Sequence, residues 1–350
     1  MLKIPKKWRE LSLHEKLDLP VKYFKFEKEQ IEKIRDIKDK REKLIASGKI
    51  QFDKFGDIHT FLLSWIAGYG SDVEVRHVFG STQNFRDLFF KKIKLPYDIK
   101  PSWMDIKRKV KIPDKMNKEL AEETGIHIGD GNLYVYYDKN KFPYYQYSIS
   151  GNLKDEEIYH LTHIGPLIRR LYNLSPNILK RTNRNSIDTR FRSKAIISFK
   201  NKVLGLVIGS KKDIKIPQII MENNEFSKSC LVGIFDTDFH ITEHLAISGK
   251  LHSLNVCNQI HEILERNKIK HVYTKYEHYG RFYIPKDFSK IIVRDWGMHN
   301  LKHLTKFEIF EKFGKLIPFT TTTERISLLK GVISLVELES ISRMRKLKNR

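Results

Sequence analysis

Cysteine is almost missing from this chain: Cys230 and Cys257 are the only two in 350 residues, with no CxxC pair and no histidine spacing that would complete a zinc site. Both are expected to be buried, reduced thiols. Long apolar runs are missing too. The stretch Phe61 to Ala67 is far too short to span a bilayer, and MLKIPKKWRELSLHEKL has no signal-peptide core. A soluble, intracellular (cytoplasmic) protein with no membrane partner is therefore expected. No Gly-rich P-loop occurs, which argues against nucleotide hydrolysis. Acidic residues are in deficit, 42 against 65 Lys and Arg, for a net charge of +23. Such an excess favours a polyanionic partner bound through counterion release, and hence salt-sensitive binding. What is present suffices for a core: 40% hydrophobic and 11% aromatic residues, in a length that suits two or three domains.

The first hundred residues differ from the rest. Over 26–47, Ile31, Ile34, Ile37, Leu44 and Ile45 form a narrow apolar stripe among charges, and shorter helical patterns occupy 61–67 and 83–92. Pro96, Pro101 and Pro113 then punctuate a basic stretch, 91–113, that reads as a solvated linker. Three regions follow: a mainly helical region with its basic linker, 1–112, and two similar α+β halves, 113–222 and 223–350, the second ending in a helix.

The halves declare themselves by recurrence. Glu123 to Gly131 reads ETGIHIGDG and Leu231 to Phe239 reads LVGIFDTDF, with Asp130 and Asp238 separated by 108 positions. That period is too long for a solenoid repeat and suits a duplicated α+β domain. In each stretch a helix carries a small residue four positions after a glycine: Gly125 and Gly129, then Gly233 and Thr237. Small residues at that spacing leave a groove for a neighbouring backbone. Two helices packed this way would carry Asp130 and Asp238 into one small site able to hold a divalent metal over a phosphate. After each acid the sequence alternates. Leu133 and Val135 point inward while Asn132, Tyr134 and Tyr136 point outward, extended by Gln146 and Ser148. In the second half a strand over 240–248 puts Ile241, Leu245 and Ile247 inside and His240, Thr242 and His244 outside, with Tyr273, Lys275, Arg281 and Tyr283 extending that face. Amide, phenol and imidazole groups on such a face suit base edges in a DNA groove. His299, Asn300 and His303 echo an HNH nuclease in letters only; Asn300 reads as a helix cap.

The paired motifs, ending GDG and DTD, resemble the LAGLIDADG homing endonucleases in their single-chain form, over residues 113 to 320. The resemblance implies two pseudo-symmetric αββαββα halves, a monomer, and Mg²⁺ or Mn²⁺ bound by Asp130 and Asp238. It also implies site-specific cutting of double-stranded DNA over a long site. Basic residues around the metal are implied as well; Lys211 and Lys212 in the first half, and Lys312 and Lys315 in the second, are the candidates. Asp236 stands where the first motif has Ile128 and is expected to be a helix-end residue. Phe239 replaces the motif's final glycine and is expected to crowd the turn and shift Asp238. His127 and Thr124 are more polar than usual for such a helix interface. The other reading open at this point is a nucleic-acid-binding protein without cleavage, either an intron RNA maturase or a DNA-binding regulator. Met1 is no splicing nucleophile and the terminal KLKNR lacks a His-Asn pair, so self-splicing is not expected.

Overall fold

Short polar side chains set most of the helix starts in the computed structural model, which describes residues 95–137 and 143–348. The helical patterns at 26–47, 61–67 and 83–92 lie outside those residues. The described part of the basic stretch is folded, not a solvated linker. A 3-10 turn at Pro96–Asp98 precedes α1 (Trp103–Lys107), where Ser102 and Asp105 form a capping box. Asp105 is buried and also accepts from the Ser193 hydroxyl at 2.6 Å and the Ala195 amide at 3.1 Å. Leu95, Ile99, Val110 and Ile112 are buried among exposed lysines, and the Lys111 amide donates to the Tyr172 carbonyl at 3.0 Å. Proline breaks the regular structure as its chemistry demands, yet this apolar quartet anchors the segment to the first half.

That half runs α2 (Lys118–Asp130), β1 (Gly131–Tyr137), β2 (Pro143–Asn152), α3 (Leu153–Tyr159), α4 (Gly165–Tyr172), β3 (Asn177–Arg181), β4 (Ser186–Arg192) and α5 (Lys194–Lys202). Helices α3 and α4 are one run interrupted by a π-helical turn at His160–Ile164. Pro166 explains the interruption, since it lacks an N–H and its ring crowds the preceding turn. A four-residue helix, α6 (Gln218–Met221), leads into the second half: α7 (Asn224–Asp238), β5 (Phe239–Ile241), β6 (Ile247–Leu251), α8 (Leu254–Arg266), β7 (Val272–Lys275), β8 (Gly280–Ile284) and α9 (Lys286–Arg294). The two sheets have matching antiparallel orders, β1-β2-β4-β3 and β5-β6-β8-β7. This is a duplicated αββαββα fold of the α+β class.

The expected strand over 240–248 is two strands. Thr242 and Ala246 close a tight hairpin between them through Thr242 N to Ala246 O at 2.9 Å, with Leu245 at a φ of 59°. TEHLA holds no Gly, Pro or Asn to betray a turn, and its apolar spacing mimics a strand. The burial expected for Ile241, Leu245 and Ile247 holds, but His244 is a turn residue. Helix α9 was not anticipated. After it come α10 (Leu301–Phe313), α11 (Thr322–Leu329) and α12 (Leu335–Lys348), which share a small core of Ile309, Ile317, Leu328 and Leu338. Arg325 braces that corner by donating to Thr305 Oγ1 at 2.9 Å and Thr320 O at 2.5 Å. Asp155 on α3 accepts from the Thr322 amide at 2.9 Å, which ties the corner to the first half. Cys230 and Cys257 are buried free thiols.

Candidate functional site

Helices α2 and α7 meet backbone to backbone at their glycines. Gly125 lies against the Cys230 carbonyl, and a Cβ built on it would stand 3.1 Å from Ile234 N; Gly233 lies against the Glu122 carbonyl, and its Cβ would stand 2.7 Å from Ile126 N. Each contact is the other's image at the 108-residue offset, which is the self-complementarity a twofold axis requires. Gly129 and Thr237 are counterparts at the same offset and touch each other: a Cβ on Gly129 would lie 2.9 Å from Thr237 Cβ and 3.5 Å from Asp238 Cγ. The pseudo-twofold axis therefore passes beside this pair. The next residue on each helix is the acid, so Asp130 and Asp238 emerge together. Thr124, polar for an interface, returns its hydroxyl to Leu120 O at 2.7 Å. His127 is fully buried with neither ring nitrogen hydrogen-bonded, and burial, with Lys200 and Lys211 nearby, holds it neutral.

Electrostatics single out the acids. Asp130 is half-buried, and Asp238 opens into a 340 Å³ cleft also lined by Gly129, Lys211, Lys212, Lys250 and His252. Removal from bulk water pushes Asp130 up to about 7, and the neighbouring charges of Asp238 and Glu156 push the same way. Asp238 is raised for the same first reason, opposed by Lys211 and Lys302. Two lysines cap the helix ends. Lys211 donates to the carbonyls of Ile128 at 2.9 Å and of Gly129, while Lys302 donates to the carbonyl of Thr237 at 3.0 Å and pairs with Glu156 at 2.7 Å. Gly129 and Thr237 are counterparts, so these lysines occupy equivalent places, each a short loop after the third helix of its half. A cation at a helix C-terminus also complements the helix dipole.

Lys302, Glu156 and their pairing across the halves escaped the sequence reading. Because α9 intervenes in the second half, the loop after the third helix leads to Lys302 and not to the expected Lys312 or Lys315. The structure corrects that choice: Lys315 pairs with Glu339 on α12 at 2.5 Å, and Lys312 lies over the Phe313 ring. Asp236 is a helix-end residue, as read. It is fully buried and accepts the amides of His299 and Asn300 at 2.9 and 3.0 Å, at the start of α10, while Asn300 caps that helix through Lys302 N. Phe239 does not crowd the turn. Gly131 sits there at φ −79° and Phe239 at φ −104°, both ordinary extended values. The Phe239 ring points into the core against Phe235, 4.6 Å between centroids.

Register assembles the outward faces. In the first sheet Asn132, Tyr134 and Tyr136 stand opposite Ser148, Gln146 and Tyr144, and Gln146 and Ser148 stand opposite Arg192 and Arg190. Arg192 lies over the Tyr144 ring at 5.0 Å and donates to the Tyr136 hydroxyl at 3.2 Å. The arginines were missed because β4 looked like a generic extended run. In the second sheet His240, Ser248 and Tyr283 share a row, as do Lys250, Arg281 and Thr274. Thr242 lies just beyond β5, where its hydroxyl accepts the Ala246 amide at 3.1 Å. Lys275 is corrected to the opposite face. Its register partner is Gly280, one place from Arg281, and a one-residue step reverses the side chain. Tyr273 likewise turns inward and stacks on Phe282 at 4.7 Å. Among the described residues, no helix is long and apolar enough to cross a membrane.

No family model and no curated protein matches the chain. Among solved structures, I-DmoI in complex with DNA and Mn is similar at 18% identity and TM-score 0.41, over 52% of this chain and 98% of that one. I-SmaMI bound to cleaved DNA is similar at 12% identity and TM-score 0.39, over 63% of this chain and 97% of that one. The structural neighbours of the duplicated αββαββα fold are LAGLIDADG homing endonucleases.

Proposed function

We propose that the protein is a site-specific, divalent-metal-dependent endonuclease of double-stranded DNA that acts as a monomer, with Asp130 and Asp238 as its metal-binding acids. One observation carries this reading: the reciprocal glycine packing of α2 and α7 brings one carboxylate from each half side by side at the helix ends, with Asp238 opening into a cleft edged by lysines. The donor set fits the ion. Carboxylate oxygens are hard ligands suited to Mg²⁺ or Mn²⁺, and an acid whose proton affinity is raised by burial and by the neighbouring Asp238 charge gains from a shared cation. When bound, such an ion supplies Lewis-acid polarisation of a phosphodiester and of water. The chain's own residues do the rest. Lys211 and Lys302 hold the two helix ends by their carbonyls, so the acids keep their spacing, and the Lys211 ammonium faces a phosphate entering the cleft. Glu156 fixes Lys302. Contacts to bases come from Asn132, Tyr134, Tyr136, Gln146, Ser148, Arg190 and Arg192 on one sheet and His240, Tyr283, Lys250 and Arg281 on the other, while Lys212 and the surplus positive charge engage the backbone.

The test is selection of cleaved and of merely bound sites from a randomised duplex library, with and without Mg²⁺. Recovery of one cleaved sequence family, dependent on Mg²⁺ or Mn²⁺ and lost in Asp130→Asn and Asp238→Asn, is expected. A protein that selects one duplex tightly yet never nicks it with either ion would replace this reading with that of a regulator or an RNA maturase.

A further inference from the structure

A second cluster of ligand-type side chains lies where α8 meets the start of edge strand β7 in the second half. His261 and Glu265 stand one helical turn apart on α8, and His271 immediately precedes edge strand β7. Their donor atoms lie within 4.8 Å of one another. The His271 side chain is 1% exposed, whereas Glu265 is 65% exposed, so one ligand is held in the core and another faces solvent. His271 Nδ1 hydrogen-bonds the Ile269 carbonyl at 2.7 Å, which makes it the protonated nitrogen. Nε2 is thereby left as a lone pair, aimed at His261 Nδ1 2.7 Å away. A carbonyl behind a histidine in this way is the outer-shell contact that orients metal-binding imidazoles.

Ring geometry separates this cluster from its rival. Two nitrogens bound to one tetrahedral ion through bonds of about 2.0–2.1 Å lie roughly 3.3 Å apart, so the edge-on His261–His271 contact at 2.7 Å has to open only by about 0.6 Å to admit it. His261 and His271 have centroids 5.0 Å apart and planes inclined at 68°. In the other cluster, His163 and His299 are stacked at 4.0 Å and 15°, so an ion in the plane of one ring falls outside the plane of the other. There Glu122 bonds His163 Nε2 at 2.5 Å and His299 Nδ1 at 3.0 Å, which makes it a clasp between the halves.

We propose that His261, Glu265 and His271 form a binding site for a zinc-type divalent ion, with water in the remaining position, separate from the carboxylate pair. Its ligands need no cysteine, and they combine one helical turn with the residue just before the following strand. Binding exchanges the His261–His271 hydrogen bond for two metal bonds, moves the His261 proton to Nε2, and swings the exposed Glu265 carboxylate inward. The ion then pins β7 to α8 and stiffens the edge of the second sheet.

The test uses full-length protein carrying Asp130→Asn and Asp238→Asn, so that the carboxylate pair cannot take the metal, titrated calorimetrically with Zn²⁺ alone. One equivalent is expected to bind and to raise Tm, and Co²⁺ is expected to give the visible spectrum of a low-coordinate nitrogen and oxygen site. His271→Gln should abolish uptake, Glu265→Gln should weaken it about tenfold or more, and His299→Gln should leave it unchanged. Absence of any uptake overturns the site, as does uptake lost with His299→Gln instead. If His271→Gln fails to fold, the exposed Glu265 position decides alone, and undiminished affinity in Glu265→Gln overturns the proposal.

Discussion

Phe239 stands where the first half has Gly131, and its cross-strand partner Gly249 stands where the first half has Ile149. Large and small have changed places across the ladder. A Cβ on Gly249 would lie 2.6 Å from the Phe239 ring, so the glycine makes room for the aromatic side chain. Phe239→Gly should therefore destabilise the fold by about 3–5 kcal/mol, through the cavity it leaves, without improving the turn. Urea unfolding measures this, and Phe239→Gly with Gly249→Ile should recover part of the loss. At the acids, Asp130 titrates near 7 in the folded protein against an ordinary 3.8. The folded state thus holds that proton more tightly than the unfolded chain. The stabilisation is complete below about pH 4 and is lost as pH rises through about 7. Metal-free protein should lose stability across that window, Asp130→Asn should flatten the loss, and Mg²⁺ should oppose it at the upper end, all readable from Tm against pH. Asp130→Asn should also abolish cutting while duplex binding persists, since the amide keeps the shape and loses the charge.

Packing of α2 on α7 depends on three glycines and a threonine, and a methyl group there has nowhere to go. Gly125→Ala would press Cβ onto the Cys230 carbonyl, a backbone atom that cannot rotate aside. Separation of the helices should cost about 1–3 kcal/mol and displace the acids. Cutting should therefore fall further than stability alone explains, which kcat measured at a temperature where the variant is fully folded would detect. The halves differ beneath these helices. In the first, Lys200 is buried with Glu123, which also accepts from Tyr147 at 2.8 Å and Tyr172 at 3.0 Å. In the second, Leu231 occupies the place of Glu123 at the 108-residue offset. Lys200→Met strands a buried carboxylate and should cost about 3–5 kcal/mol, whereas Lys200→Met with Glu123→Leu, imitating the second half, should be far milder. Chemical denaturation of both variants gives the comparison.

Across the whole molecule the excess of 65 basic over 42 acidic residues meets two sheets whose outward rows carry arginine, lysine and tyrosine. DNA affinity should fall steeply with salt, with a log–log slope of about −0.9 for each phosphate neutralised. Arg190→Ala should relax sequence preference by about 1–3 kcal/mol at particular base pairs if it contacts bases, while Lys212→Ala should weaken all duplexes alike. Competition binding against a panel of single-base variants separates the two. The C-terminal corner belongs to this scale too. Through Asp155 and Thr322 it ties the end of the chain to the first half, and through Lys302 and Glu156 the second half reaches the first beside the acids.

Local chemistry alone determined the helices ending at Asp130 and Asp238, the strands of the first sheet, the glycine interface and the alternation that turns Tyr134 and Gln146 outward. Helical and strand periods and small-residue spacing are written in neighbouring residues. Tertiary structure decided what depends on contacts distant in sequence. Lys302 meets Glu156 across 146 positions, Phe239 fits because Gly249 yields, and Lys275 turns away from Arg281 because register fixes which side each residue faces. None of these follows from spacing along one strand. Each depends on which other segment lies opposite, and packing chooses that partner by volume and charge.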